Sequence, residues 1–182
     1  MGDFEWALTR AFNQFFEEEG IEALAYRLKQ SRFAPQLIDI LVDSRHSKYY
    51  LAVECKSLDA RKNSSLYFKS HFSATGGGHQ LERETKFLEL SGRTGVLAVE
   101  LRRGAGRPRS AYLLPWGLAR ERFDEGFAGL RLEKMESYPA LERKGGNYHI
   151  SQLDLAQITR PWENGREEGE FTSFDFEQGD LD

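Results

Sequence analysis

Three side chains in the first third of the chain are of the types that hydrolyse a phosphodiester bond with the help of a divalent cation. Glu54 and Lys56 stand two apart at the end of Tyr49-Tyr50-Leu51-Ala52-Val53-Glu54-Cys55-Lys56, and Asp39 lies within Leu37-Ile38-Asp39-Ile40-Leu41-Val42. Such chemistry needs hard oxygen ligands for Mg²⁺. It also needs a group that orients or deprotonates water and offsets charge on the phosphate. If the second run is a strand, Glu54 and Lys56 share one face, and Val53 and Cys55 point to the other, into the core. An acid flanked by Ile38 and Ile40 is expensive to bury without a partner, and a bound cation would explain its place. The alternative is a structural salt bridge among the three. Glu-x-Lys also occurs at Glu84/Lys86 and Glu142/Lys144. Neither copy follows an apolar run, so both are expected on the solvated surface.

The elements that must position these residues follow from hydrophobic periodicity. Phe4, Leu8, Ala11, Phe12, Phe15 and Phe16 recur at three- and four-residue steps and predict a helix over 3–19, stopped by Gly20. A first strand is expected over 21–28, followed by a polar connection over 29–36. The two apolar runs, 37–42 and 49–56, are separated by the polar stretch 43–48 and predict a hairpin. A long polar segment, 57–78, ends in three glycines, read as a flexible hinge. A helix is expected over 79–90, with Leu81, Phe87, Leu88 and Thr85 facing inward. Strands over 95–101 and 110–114, a helix over 115–125 and a short strand within 145–153 complete the reading. The result is an α/β fold, a central mixed sheet flanked by helices, in which the second helix joins two strands able to lie parallel.

Composition bounds the rest. The 182 residues are 40% hydrophobic and 13% aromatic, enough for one core, and 30% charged, with a mean hydropathy of -0.60. No apolar run approaches a membrane span, and no signal peptide is read at the N-terminus. The single cysteine, Cys55, fits a reducing compartment, so a cytoplasmic protein is expected, nucleoid-associated if it acts on DNA. Its thiol is read as a small core group rather than a nucleophile, and the four histidines have no zinc-ligand spacing. The net charge of -4 hides an asymmetry: residues 163–182 hold eight acids and one base, a charge of -7, so the remainder carries +3. Residues 1–160 are therefore read as one domain. Residues 161–182 are read as an acidic tail, disordered in isolation: first a solubilising segment, and able also to dock on a basic protein partner or to shield a basic face of the protein itself.

Taken together, the early glutamate in Gly2-Asp3-Phe4-Glu5, the stretch Pro35-Gln36-Leu37-Ile38-Asp39, the stretch Val53-Glu54-Cys55-Lys56-Ser57 and the helical Gln80 resemble the PD-(D/E)XK nuclease superfamily. Within it the chain is most similar to the archaeal-type Holliday junction resolvases, diffusely over about residues 2–155. Leu114-Pro115-Trp116 and Gly146-Asn147-Tyr148 share in the likeness. The resemblance implies a restriction-endonuclease-like fold and a homodimer that cuts two opposed strands of a four-way DNA junction. It implies that Asp39, Glu54 and the backbone carbonyl of Cys55 hold Mg²⁺, with Mn²⁺ as a substitute, and that Glu5 completes the shell directly or through water. Lys56 would position or activate water, and Gln80 would brace the site or touch the scissile strand. The chain departs from the family pattern in placing Pro35 four residues before Asp39, in the length of 57–78 and in the acidic tail.

Basic residues extend this expectation to DNA binding. The loop from 102 to 109 carries Arg102, Arg103, Arg107 and Arg109, guanidiniums suited to a phosphate backbone. Lys29, Ser31, Arg32, Arg61, Lys62 and Lys69 lie in segments flanking the expected active edge. Two rival readings stay open: a restriction-like or repair nuclease acting on other DNA structures, and a DNA-binding scaffold of the same fold without catalysis.

Overall fold

The computed structural model describes residues 3–28, 37–75 and 77–159. The long polar tail, Lys29, Ser31 and Arg32 lie outside these residues. The chain opens with α1 (Asp3–Glu18), followed by β1 (Ala23–Arg27), β2 (Ile40–Ser44) and β3 (Leu51–Asp59). Next come β4 (Ser65–Tyr67), α2 (Phe68–His71), β5 (Ala74–Thr75), β6 (Gly78–His79) and α3 (Gln80–Ser91). Then follow β7 (Thr94–Arg102), β8 (Ser110–Pro115), α4 (Trp116–Asp124), β9 (Gly129–Arg131) and α5 (Leu132–Glu136). The last elements are β10 (Glu142–Lys144), β11 (Asn147–His149) and α6 (Gln152–Thr159).

Five strands form a mixed sheet in the order β1-β2-β3-β7-β8. β3 and β7 run parallel from Leu51↔Thr94 to Asp59↔Arg102, and the other three pairings are antiparallel. The parallel pair is joined through α3, as the expected crossover requires. Apolar clusters lie on both faces. One gathers the phenylalanines of α1 with Ile40, Val42, Leu51, Val53, Val96 and Ala98. The other gathers Leu81 and Leu88 of α3 with Ala52, Leu97, Val99 and Leu101. Alternation along β3 therefore sends Val53 and Cys55 toward α1, and Glu54 and Lys56 toward α3. The start of β7 is pressed against this second layer. A Cβ on Gly95 would lie 2.4 Å from Leu88 Cδ1 and 2.7 Å from Trp116 Cβ.

Three expectations are corrected. The strand expected over 37–42 begins at Ile40, leaving Asp39 in a bend just before it. On the β3 side the Asp39 carboxylate accepts the Cys55 N–H at 2.8 Å, so a side chain takes the place of a ladder carbonyl there, while on the β1 side the Asp39 carbonyl still accepts the Leu28 N–H at 2.9 Å. Ile38 and Ile40, which strict alternation would put on one face, consequently lie in opposite clusters. The polar stretch 57–78 is not a loop throughout. β3 continues to Asp59, and Leu66, Phe68 and Phe72 are buried in the α3-side cluster. Glu84 is not on the surface: it is 1% exposed, whereas Lys86 faces solvent. The third Glu-x-Lys copy is as expected, with Glu142 and Lys144 about 60% exposed in a solvated pair. The expected strand within 145–153 is β11, and the chain then turns into α6, whose Leu155 and Ile158 close the α1-side core.

Candidate active site

The site is built at the junction of β2, β3 and α3. The β2–β3 register pairs Ile40 with Val53, so Asp39, one step earlier, falls beside Glu54. Glu54 is 3% exposed. Both of its hydrogen bonds fall on Oε1: Lys56 Nζ donates at 2.7 Å and Gln80 Nε2 at 2.7 Å. The Lys56 ammonium also lies 4.5 Å from the centre of the Phe72 ring, a cation–π contact supplied by the segment that reads as polar in sequence. Gln80 opens α3. Its amide orientation is set from the other side, where the Ser73 N–H donates to Oε1 at 3.0 Å. Both amide hydrogens are thus directed at carboxylates, one at Glu54 and one at Glu84 Oε1, 2.5 Å away. The preceding His79 caps the helix in a reciprocal box with Glu82, so its imidazole has a structural task.

The electrostatics are those of crowded acids. Burial, then the charge of Glu54, pushes the Asp39 carboxyl up to about 7, against the lowering effect of the Cys55 N–H; Glu5 adds to the rise. Burial and Glu54 push Glu84 up to about 9. Burial also raises the Cys55 thiol, which fits a half-buried core group rather than a nucleophile. The arrangement concentrates carboxylates where one cation would relieve their mutual repulsion.

The donor chemistry fits Mg²⁺. The available groups are hard oxygens, and Lys56 and Gln80 occupy only one oxygen of Glu54. Among the described residues no three His, Cys, Asp or Glu side chains converge on a point. Mg²⁺ needs only one or two carboxylates, with water and phosphate completing its shell.

The structure brings Asp39, Glu54, Lys56 and Gln80 together. Glu5 is close enough to act on Asp39 through its charge, but its carboxylate is engaged by Arg27 of β1. Of the expected DNA contacts, Arg61 and the 102–109 loop adjoin each other, Arg61 lying against Gly104. Arg102 Nε and Arg109 Nη1 both reach Glu100 Oε1, at 2.8 and 3.5 Å. Glu100 is 2% exposed, points to the α1 side and also accepts the Tyr148 hydroxyl at 3.0 Å. Arg103 pairs with Glu136, and Arg61 pairs with Asp59 through two nitrogens. Arg107, Lys62 and Lys69 face solvent. Sequence reasoning missed Glu84, although one signal for it exists. Gln80 and Glu84 are four apart, and if a helix turns Gln80 toward the site it turns Glu84 there too.

No protein-family model and no curated protein matches the sequence. Among solved structures, the chain is similar to Hjc of Archaeoglobus fulgidus, a Holliday junction resolvase from an archaeal hyperthermophile. The two are 18% identical, with 81% of this chain and 91% of that chain covered and a TM-score of 0.36.

Proposed function

We propose that this chain is an Mg²⁺-dependent DNA endonuclease of the PD-(D/E)XK type, acting on four-way junctions as a homodimer. The observation that carries the reading is the meeting of two buried-side carboxylates, Asp39 and Glu54, with the Lys56 ammonium at the junction of β2 and β3. Asp39, Glu54 and the Cys55 carbonyl would hold the ion, with Glu5 behind Asp39. Bound Mg²⁺ supplies Lewis-acid polarisation of the phosphate and a more acidic water. Lys56, held by Glu54 and Phe72, orients the attacking water and offsets charge developing on the phosphate. Gln80 fixes the carboxylate of Glu54 through its amide. Hydrolysis leaves 5′-phosphate and 3′-hydroxyl ends, and two protomers cut opposed strands.

The test compares a labelled four-way junction with matched linear duplex, in Mg²⁺ or EDTA, using wild type and Lys56→Ala. Paired, symmetric cuts in the junction alone are expected. They should vanish in EDTA and fall roughly 10²–10³-fold in the variant, the usual cost of removing one group that stabilises charge in a transition state. Equal cutting of all substrates would keep the site and replace the junction by another DNA structure. Tight binding with no cutting by the Mg²⁺-loaded wild type would make the protein a DNA-binding scaffold.

A further inference from the structure

We propose that Glu84 is a carboxylate ligand of a second divalent-cation subsite, on the α3 side of Glu54, so that Glu54 is shared between two cations. The inference rests on the proposed metal-dependent reading of Asp39 and Glu54. Glu84 is 1% exposed, and its Oε2 is buried with no hydrogen-bond partner. Its Oε1 is tied to Gln80 Nε2, and the same nitrogen is tied to Glu54 Oε1. Two oxygens within hydrogen-bond reach of one nitrogen lie within roughly 6 Å of each other. The two carboxyl groups are therefore neighbours, and Gln80 engages one oxygen of each while leaving both Oε2 atoms for other ligands.

A buried, unpartnered carboxyl oxygen is uncommon in a native interior and calls for a partner from outside the chain. Without a metal the crowding is met by a proton, since burial and Glu54 hold Glu84 well above the usual carboxylate range; a cation that displaces this proton would relieve the same repulsion. The packing argues against an accidental acid. Neighbouring positions Leu81 and Leu88 on the same helix face are apolar core residues, and an apolar side chain at 84 would fit that pattern. Asp39, in the bend before β2, and Glu84, on α3, flank Glu54 from different parts of the chain. Paired cations sharing a ligand are a recurring arrangement for in-line displacement at phosphorus, where they stabilise both the attacking and the leaving oxygen.

The experiment titrates Mn²⁺ into the full DNA-free chain and follows free Mn²⁺ by electron paramagnetic resonance, with folding checked by circular dichroism. Wild type, Glu84→Gln, Glu84→Met and Asp39→Asn are compared. Two bound Mn²⁺ are expected for wild type and one for each Glu84 variant, while Asp39→Asn loses the other. Glu84→Met keeps the volume and removes every oxygen, so it tests the same loss if the amide is poorly tolerated. A wild-type chain that binds one ion, lost in Asp39→Asn, overturns the Glu84 subsite and leaves the Asp39–Glu54 site standing. Unchanged stoichiometry in folded Glu84 variants does the same. A wild-type chain that binds none overturns both readings.

Discussion

Asp39 shows how a single side chain couples the fold to the chemistry. Its carboxylate takes the Cys55 N–H, bends the chain ahead of β2 and stands beside Glu54. Burial and that neighbour raise its carboxyl from 3.8 to about 7. A folded-state value above the unfolded one means the native chain binds the proton more tightly. This contribution to stability is complete below about pH 4 and is lost as pH rises through about 7. The melting temperature of the metal-free protein should therefore fall across that window, and Asp39→Asn should flatten this part of the profile. With Mg²⁺ present, ion and proton compete, so apparent Mg²⁺ affinity should climb to about pH 7 and level off above it. Thermal scans from pH 4 to 8 in EDTA and in Mg²⁺ measure both; a metal-free profile unchanged by Asp39→Asn would sink the assignment. At this scale the sequence was informative where chemistry and context coincide. Asp39, Glu54 and Lys56 stand out as charges inside apolar runs. Glu84 does not, because its apolar neighbours are three and four residues away on a helix and its adjacent residues are polar.

At the scale of elements, α1, the β2–β3 hairpin and the β3–α3–β7 crossover were legible because each has a strong period and clear stops. The segment between β3 and α3 was not. Its strands are two or three residues long; β5 and β6 pair only with each other, while β4 pairs with β9 far along the chain, and no local pattern announces that pairing. The same non-local logic hides the role of Phe72 under Lys56 and of Ser73 behind Gln80. Gly95 marks a close contact between the sheet and the α3–α4 layer. Gly95→Ala should force Leu88 and Trp116 apart and cost about 1–3 kcal/mol, the usual range for overpacking a well-filled core. Urea unfolding gives the number, and a variant as stable as wild type would show that this layer yields more readily than its geometry implies. Since Leu88 shares α3 with Gln80 and Glu84, Mg²⁺ affinity should weaken in the same variant.

For the whole molecule, charge is unevenly placed: -4 in total, of which residues 163–182 carry -7. A chain shortened to remove those residues should bind duplex DNA more tightly at about 50 mM salt. The difference should shrink toward about 200 mM salt, as screening removes long-range repulsion. Fluorescence anisotropy at both salts checks this, and equal affinities throughout would show that the acidic stretch exerts no influence on DNA approach. No helix among the described residues is long and apolar enough to cross a membrane. The parallel pairing of β3 with β7 has a further consequence, in time rather than in space. Glu54 and Lys56 enter with the first strand of that pair, while Gln80 and Glu84 arrive on the helix that must be laid down before the second strand can dock. Contacts between segments so far apart in the chain form late, after the entropy of closing the connection has been met. On this order the candidate site should stay unassembled through most of folding, its mutually repelling acids coming together only in the step that also makes the sheet whole.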